Sequence, residues 1–288
     1  MHEKPGDNVL AKTLAGYRVL DLTDSTGVLC IRTLAGMGAQ INRADPEKER
    51  ERFVGQIKKT DYFIETCPPG RLDSLGLGYK NLAEINPRLI MISITPFGQT
   101  GPYKDLKASD AMLQAMGGWM SVTGTPDQPL KLYGNQAYNT ASLFAVNGAL
   151  LALYRRYETG KGGYIDISVL ECVAATLDHV LVRYFSDGAV SGRQGSRAWN
   201  NAFDILPCAD GYVLISVHRQ WETLVELMAA DGMAEDLPDP KYLDRKERDR
   251  NIDHIIAVME RWTRRHKARE LEELGQLMHF PWAAVKNA

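Results

Sequence analysis

Short apolar segments alternate with stretches of helical periodicity through the first third of this chain, and this alternation most restricts the possible fold. The predicted strands cover residues 17–22, 39–44, 61–66 and 89–94. The predicted helices cover residues 27–37, 47–59 and 82–85. Because parallel strands need a crossover between them, usually a helix, the order indicates an α/β fold with a mostly parallel sheet and helices on both faces.

Ligands of such sheets bind beyond the carboxyl ends of the strands, so the loops that follow the strands are the first candidates for a site. These loops read T-D-S-T-G at 23–27, C-P-P-G at 67–70 and T-P-F-G-Q-T-G-P-Y at 95–103. None has the glycine spacing of a dinucleotide-binding turn or the Gly-Lys-Ser/Thr ending of a phosphate-binding P-loop. The sequence therefore does not support NAD or ATP as a ligand.

The rest of the chain changes character near residue 191. Before it, long helices are predicted at 110–121, 139–157 and 169–185, and the repeated Met112, Met116 and Met120 are interpreted as core residues. After a polar loop at 191–202, a hairpin is predicted with strands at 203–206 and 212–217 and Asp210-Gly211 at its turn. Helices at 221–230, 250–264 and 268–277 follow, which indicates a smaller α+β unit.

Composition excludes several classes of partner. The net charge of -2 gives no electrostatic reason to expect nucleic acid or an anionic membrane surface as partner. Four scattered cysteines and six unclustered histidines show no metal-ligand spacing, so we expect no metal site and no disulfides. The N-terminus lacks the apolar segment of a signal peptide, and no apolar run is long enough for a membrane span, so we expect a cytoplasmic protein.

The segment T-G-K-G-G-Y-I-D-I-S-V-L-E, residues 159–171, places a carboxylate at the expected start of a helix. Its glycines indicate a turn, and a short strand at 164–167 leads to Ser168 and Glu171. In one interpretation Ser168 and Glu171 form a capping box, which satisfies the first N–H groups of the helix. In the other, the helix dipole favours an ionised Glu171 that acts as a nucleophile. The residues alone leave both interpretations open.

Several ordered motifs together resemble the family III (CaiB/BaiF-type) CoA transferases, which include the formyl-CoA and carnitine CoA transferases and the α-methylacyl-CoA racemases. The matching segments are G-Y-R-V-L-D-L-T at 16–23, M-G-A-Q-I-N-R-A-D-P at 37–46, P-P-G-R-L-D-S-L-G-L-G-Y at 68–79, N-P-R-L-I-M-I-S-I-T-P-F-G-Q-T-G-P-Y at 86–103, S-D-A-M-L-Q-A-M-G-G-W-M-S-V-T-G at 109–124 and the segment at 159–171. Each motif is weak alone, and the ordered set, which covers most of the chain, is specific.

The resemblance implies a large Rossmann-like CoA-binding domain at 1–190 and a smaller α+β domain at 191–288. It implies two interlocked chains, either a homodimer or a heteromer with a related subunit. The implied activity is transfer of CoA from an acyl-CoA thioester to a carboxylic acid through covalent intermediates on a carboxylate, with coenzyme A as substrate and no tightly bound cofactor. The family nucleophile, usually Asp, falls on Glu171.

The resemblance also assigns CoA contacts residue by residue. Thr26 and Gly27 lie in the loop after the first strand, where the family binds the nucleotide. Thr66 and Cys67 replace the family's Asn-Phe on the adenine side. After the third loop come Lys107, Ala108, Ser109 and Asp110, with Lys107 as a phosphate partner. In the small domain, residues 200–203 and His218 are expected near the acid without indicating a particular acid, and His218 is interpreted as structural.

The chain departs from the family at several points, and two alternative functions follow. The stretch between Pro46 and Asp61 is short and lacks a basic segment that helps to hold the CoA phosphates. The family's C-terminal return segment is absent after Ala288, so we expect a truncated small domain. These departures favour a catalytically silent CoA-binding subunit as the first alternative. A racemase is the second, although Ser109 and Ala137 occupy positions where the racemases carry their two bases.

Overall fold

The computed structural model of the protein describes residues 13–43 and 45–286, and its chain forms two compact units. The large unit takes in the described residues up to 123 together with 130–190. The small unit consists of 124–129 and the described residues from 191 onward. The segment 124–129 thus belongs to the small unit, although it lies far along the sequence from the rest of that unit.

A parallel five-stranded sheet forms the centre of the large unit. Its strands are β1 (Arg18–Leu22), β2 (Gln40–Arg43), β3 (Tyr62–Glu65), β4 (Ile90–Thr95) and β5 (Gly163–Ser168). They lie side by side in the order β2-β1-β3-β4-β5, and every neighbouring pair is parallel. The parallel α/β sheet expected from the alternating pattern is confirmed, and each predicted strand has an observed counterpart.

Helices cover both faces of this sheet. The helices of the large unit are α1 (Val28–Gly36), α2 (Arg50–Ile57), α3 (Arg71–Ser74), α4 (Tyr79–Ile85), α5 (Asp110–Met116), α6 (Trp119–Val122), α7 (Gln136–Thr159), α8 (Val169–Ala175) and α9 (Asp178–Asp187). Successive side chains of a strand point to opposite faces. Val19 therefore joins the core formed with α1 and α7, whereas Leu20 joins a second core with α2, α3 and α4.

The turn between α7 and β5 depends on glycine at two positions. Gly160 ends α7 in the left-handed region, with φ of 71°, where a residue without Cβ is favoured. A Cβ at Gly162 would lie only 1.9 Å from the carbonyl oxygen of Leu89. This close approach lets β5 enter the sheet beside β4, and β5 leads directly to Ser168 and α8.

Two long helices expected from the sequence are each divided into two. The predicted helix at 110–121 breaks at Gly117 and Gly118, because Gly118 adopts φ of 95° and a Cβ at Gly117 would lie 2.4 Å from a methyl carbon of Val173. The predicted helix at 169–185 breaks after Ala175. There the Thr176 hydroxyl donates to the Val173 carbonyl and accepts a hydrogen bond from the Trp119 indole.

The interpretation as core residues is wrong for Met112 and Met116, whereas Met120 is half-buried. Met112 and Met116 are each 49% exposed on α5. The division between α5 and α6 leaves the helix only two turns long, and the buried side is taken by Asp110, Leu113 and Gln114 instead. Met112 and Met116 consequently lie on the opposite, accessible side of α5.

A three-stranded antiparallel sheet and four α-helices make up the small unit. The strands are β6 (Phe203–Pro207), β7 (Tyr212–Ser216) and β8 (Ala283–Ala284), in the order β6-β7-β8. The helices are α10 (Trp221–Ala230), α11 (Arg245–Arg250), α12 (Ile252–Thr263) and α13 (Ala268–Leu277), with a 3₁₀ turn at Pro240–Leu243. The predicted hairpin is confirmed, and β8 was not expected.

The core of the small unit is aromatic. Trp262, Trp282 and Tyr242 are almost fully buried among aliphatic side chains from the sheet and from α10 and α12. This core is separate from the two cores of the large unit. Within the described parts of the chain, no helix combines the length and apolar character that a membrane crossing requires.

Candidate active site

The loops after β1, β3 and β4 surround a cavity of about 330 Å³ at the carboxyl edge of the large sheet, which we call the strand-end cavity. Five residues expected to contact CoA line it, namely Thr26, Thr66, Cys67, Lys107 and Ala108. These residues come from three separate loops. The parallel arrangement of the strands brings the loops together at one edge of the sheet, as the sequence pattern predicts.

Hydrogen bonds between the loops hold the cavity wall in place. The backbone N–H of Asp24 donates to the Thr66 hydroxyl at 2.9 Å, which ties the loop after β1 to the loop after β3. The Asp24 carboxylate in turn accepts from the N–H of Thr26 at 2.8 Å. The Thr26 carbonyl accepts from Ser142 on α7 at 3.1 Å. Thr66 thus uses its oxygen to fix the loop that carries Thr26.

Cys67 lies above a buried carboxyl group. Its N–H donates to Glu65 at 2.5 Å, and Glu65 is 1% exposed at the end of β3. Burial raises the pKa of Glu65 above its usual value. Burial, together with the nearby Glu65, also raises the pKa of the Cys67 thiol to about 12. The thiol is therefore protonated at neutral pH and is a packing group rather than a nucleophile.

Two lysines line the strand-end cavity, and only Lys107 was predicted to contribute. Lys104 lies in the same segment and reaches the same cavity. Neither ammonium group forms an ion pair within residues 13–43 and 45–286, and both side chains are exposed. Lysine is a compact point charge that suits phosphate groups. A weak signal for Lys104 was available, since it directly follows the loop at 95–103.

Gly27 and Ser109 do not line this cavity, and the assignment of all eight residues as CoA contacts stays a prediction. Gly27 precedes α1, and a Cβ there would lie 2.7 Å from the Thr23 side chain. Its small size therefore serves the packing of the first loop. Ser109 caps α5, where its hydroxyl accepts a hydrogen bond from the Met112 N–H at 3.4 Å.

Asp110 is buried, and its carboxylate binds neighbouring parts of the protein. One oxygen accepts hydrogen bonds from the N–H groups of Ala137 and Tyr138, at 2.9 and 3.2 Å, in the first turn of α7. The other accepts from the Gln114 amide at 2.6 Å. A carboxylate at a helix N-terminus is favourable, because it satisfies free N–H groups and complements the helix dipole. Asp110 thereby positions Tyr138, which lines the strand-end cavity.

Glu171 lies in the first turn of α8 with its side chain exposed. The Ser168 hydroxyl accepts a hydrogen bond from the Glu171 N–H at 3.3 Å, so half of the capping box is present. The reciprocal bond from the Glu171 side chain is not formed. Among the residues that the structure describes, no hydrogen bond or ion pair engages this carboxylate. Capping therefore accounts for Ser168 and leaves the Glu171 carboxylate free.

The loop after β4 connects the strand-end cavity to the start of α8. Pro96 lines the cavity, and its carbonyl accepts a hydrogen bond from the N–H of Leu170, the residue before Glu171, at 3.0 Å. Two residues further along this loop, Gly98 adopts φ of 83°, and the N–H of Gln99 donates to Asp166 on β5 at 2.9 Å. Glu171 itself does not line the cavity, but its helix begins beside the cavity wall.

Comparison with known proteins decides the family. Residues 44–288 match the model of "CoA-transferase family III". The chain belongs to this family. The resemblance seen in the motifs is thereby confirmed, and the chain is a transferase with the expected α/β fold.

Named relatives agree with the family assignment. The chain is 34% identical to succinyl-CoA:(R)-benzylsuccinate CoA-transferase subunit BbsE of Thauera aromatica, over 96% of this chain and 80% of that protein. It is also 34% identical to acetyl-CoA:oxalate CoA-transferase of Acetobacter aceti, over 75% of this chain and 56% of that protein. Both relatives are named for an acyl-CoA and a carboxylic acid.

A solved structure shows the same fold. The CAIB/BAIF family protein from Brucella suis is 26% identical, with a TM-score of 0.84 over 96% of this chain and 85% of that chain. The fold of the family III CoA-transferases therefore extends over nearly all of this chain.

Proposed function

We propose that this chain transfers CoA from an acyl-CoA thioester to a free carboxylic acid, with Glu171 as the covalent nucleophile. The observation that carries the proposal is the exposed Glu171 carboxylate, which no described residue binds, in a helical turn beside the wall of the strand-end cavity. The dipole of α8 favours negative charge at this end of the helix, so the carboxylate is suited to remain ionised.

The reaction needs only carboxylate and thiolate chemistry. A Glu171 oxygen attacks the thioester carbon, the C–S bond breaks, and CoA leaves as a thiolate with a mixed anhydride on Glu171. The thiolate then attacks the Glu171 carbonyl, which releases the first acid and leaves an enzyme–CoA thioester. The acceptor carboxylate attacks this thioester to form a second anhydride, and the thiolate attacks its acyl carbon. The new acyl-CoA leaves, Glu171 is regenerated, and no net proton is consumed.

The strand-end cavity is the proposed CoA site. Lys104 and Lys107 offer free ammonium groups for the phosphates, while Pro68, Leu106 and Tyr138 supply apolar surface for the adenine or the pantetheine arm. These contacts support the predicted roles of Thr26, Thr66, Cys67 and Ala108. Gly27, Ser109 and Asp110 remain proposed contacts, with Asp110 limited to its backbone because its carboxylate is already engaged.

Covalent trapping tests the proposed nucleophile directly. The protein is incubated with succinyl-CoA and then with hydroxylamine, which converts an anhydride or thioester on a carboxylate into a hydroxamate. We expect a mass increase on the peptide that contains Glu171, absent in Glu171→Gln. Glu84→Gln is the matched control, because Glu84 is an exposed glutamate on α4 of the same unit. A hydroxamate that persists in Glu171→Gln would rule out this residue as the nucleophile.

A subunit without its own nucleophilic step is the second candidate. Two observations favour it, namely the name of the Thauera relative, which describes a subunit, and the Glu at a position where the family usually has Asp. Glu is one methylene longer, which moves the carboxylate by about one ångström, enough to affect attack geometry. CoA binding without any hydroxamate at Glu171 would support this candidate. Exchange of the substrate's α-proton with deuterated solvent would instead support the racemase.

We also propose that the chain assembles with a second chain, either a copy of itself or a related subunit. Helix α9 has no buried residue, and its large apolar side chains Leu181, Val182, Tyr184 and Phe185 are all at least half exposed. Leu151, Tyr154 and Tyr157 of α7 are exposed as well. Clustered exposed apolar side chains, such as those of α9, mark protein interfaces. Analytical ultracentrifugation of the intact chain should show a dimer, or a complex when the partner is added.

A cytoplasmic location completes the proposal. Cys30, Cys67, Cys172 and Cys208 are all free thiols. Burial raises the pKa of Cys30 and Cys172 to about 12, so these thiols stay protonated at neutral pH. Free buried thiols are typical of a reducing compartment. Fractionation of cells that express the protein, followed by immunoblotting, would test the location.

A further inference from the structure

A second cavity, of about 330 Å³, lies within the small unit between the end of β7, the loop before β6 and the start of α11. We call it the hairpin pocket, and its lining includes Asn200, Ser216, His218, Arg219 and Arg245. Two backbone positions beside it adopt the left-handed region without being glycine. Asn201 has φ of 55° and Gln220 has φ of 52°. Such strained positions persist where the surrounding structure requires them, and they concentrate at binding sites.

Positive charge dominates the lining of the hairpin pocket. Arg219 is exposed and forms no hydrogen bond or ion pair within the described parts of the chain. The Nε of Arg245 lies 3.7 Å from Oδ2 of Asp249, which is long for an ion pair. Behind them, the buried guanidinium of Arg248 donates to the carbonyls of Tyr242 and Leu243 rather than to an acid. The three arginines therefore carry more positive charge than the neighbouring carboxylate of Asp249 can neutralise.

Asp249 is the carboxylate in contact with this cluster, and most of its capacity is used. Its Oδ1 accepts from the Asn201 amide at 3.0 Å and from the His218 ring at 3.0 Å. These bonds hold the loop before β6 against α11 and fix the strained Asn201. One oxygen of Asp249 is thus occupied by the neutral side chains of Asn201 and His218. The guanidinium groups of Arg219 and Arg245 line the pocket.

His218 contributes shape and not charge. Its Nε2–H donates to Asp249, and its Nδ1 accepts from Arg248 Nε at 3.4 Å, so both ring nitrogens have partners. Burial, reinforced by Arg245 and Arg248, lowers the pKa of His218 and keeps the ring neutral. Ser216 is 1% exposed and accepts from the Trp282 indole at 3.1 Å, which leaves its hydroxyl proton able to donate into the pocket.

We propose that the hairpin pocket binds the carboxylate of a small organic acid through Arg219 and Arg245, with Ser216 and Asn200 as neutral hydrogen-bonding partners. A guanidinium group matches a carboxylate with two parallel hydrogen bonds, which explains the choice of arginine here and lysine in the strand-end cavity. The inference rests on the proposed function for the identity of the ligand as the acceptor acid. It makes the small unit the part of the chain that selects this acid.

Calorimetric titration of the intact protein with succinate, in the absence of any CoA compound, tests the pocket apart from catalysis. We expect measurable binding that weakens roughly tenfold or more in Arg219→Gln, the loss typical of one charged hydrogen-bonding partner. Arg245→Gln should weaken binding less, because Arg245 is shared with Asp249. Arg265→Gln is the matched control, since Arg265 is an exposed arginine of the same unit outside the pocket, and it should leave binding unchanged.

Each outcome has a distinct meaning. Unchanged succinate affinity in Arg219→Gln, or no binding by the unaltered protein, overturns the inference. Equal affinity for inorganic phosphate at the same ionic strength would also overturn it, because the pocket would then be a general oxyanion site. If succinate binding depends on Arg219 but no hydroxamate forms at Glu171, the inference stands and the proposed nucleophile fails. Circular dichroism of Arg219→Gln confirms that the variant is folded.

Discussion

The strand-end cavity of the large unit and the hairpin pocket of the small unit have similar volumes but different construction. The first is formed by loops that follow parallel strands, and its cations are the flexible lysines Lys104 and Lys107. The second is formed by an antiparallel hairpin and α11, and its cations are Arg219 and Arg245, beside the hydrogen-bonded pair of His218 and Asp249. Flexible point charges suit the phosphates of a long, mobile cofactor, whereas planar guanidinium groups suit a small carboxylate.

The largest expected effect separates chemistry from acid binding. Glu171→Gln should reduce CoA transfer by roughly a thousandfold or more, because removal of a covalent nucleophile eliminates the step itself. Steady-state transfer from succinyl-CoA, measured by chromatography, gives the rate. Succinate affinity of the same variant should equal that of the unaltered protein, since the hairpin pocket lies in the other unit. If Glu171→Gln loses succinate affinity as well as CoA transfer, the two units do not divide the roles of acid binding and chemistry.

The next effect concerns stability of the large unit. Asp110→Ala removes the acceptor of the Ala137 and Tyr138 N–H groups and should destabilise the protein by about 1–3 kcal/mol, the cost of buried donors without partners. Urea unfolding measures the change. Asp110→Asn retains one carbonyl oxygen and should lose less. Since Tyr138 lines the strand-end cavity, CoA affinity should fall in Asp110→Ala while succinate affinity stays constant. If both variants are as stable as the unaltered protein, α7 does not need this cap.

A paired comparison of lysine and arginine tests the difference between the cavities most directly. Lys104→Ala and Lys107→Ala should each weaken CoA binding by roughly five- to tenfold, and the loss should shrink at high salt because the contact is ionic. Arg219→Gln should leave CoA affinity unchanged. Fluorescence titration with CoA at two salt concentrations provides the data. A weaker CoA complex in Arg219→Gln would mean that the hairpin pocket receives a CoA phosphate.

The smallest effects are those of pH, and they have opposite sign in the two units. Burial raises the pKa of Glu65, so the folded state holds its proton more tightly and stability falls as pH rises above the usual value of 4.5. Burial lowers the pKa of His218, so stability falls as pH drops below the usual value of 6.5.

Urea unfolding over this range checks both signs. Glu65→Gln should remove the loss on the alkaline side, and His218→Gln should remove the loss on the acid side. Asp249 remains in the second variant to bind Asn201. Identical pH profiles for the unaltered protein and either variant would mean that the altered residue does not set the slope.

Much of the large unit follows from local pattern. The apolar runs at β1, β3 and β4 predict buried strands, and the parallel order then places three loops at one edge of the sheet. The sequence pattern therefore predicts that Thr26, Thr66 and Lys107 lie close together, and all three line the strand-end cavity. The helix breaks could not be predicted in the same way. Gly117 is needed because Val173 lies against it, and Thr176 is engaged by Trp119, contacts between residues more than fifty positions apart.

The sequence by itself determined the parallel sheet, the hairpin, the family and the position of Glu171, because these depend on periodicity, turn residues and ordered motifs that act over short distances. Only the tertiary structure decided that the Glu171 carboxylate is free, that Asp110 caps α7, and that Arg219 and Arg245 share a pocket. The physical reason is that a hydrogen bond or a charge cluster depends on which distant side chains meet, and only the packing of strands and helices settles that.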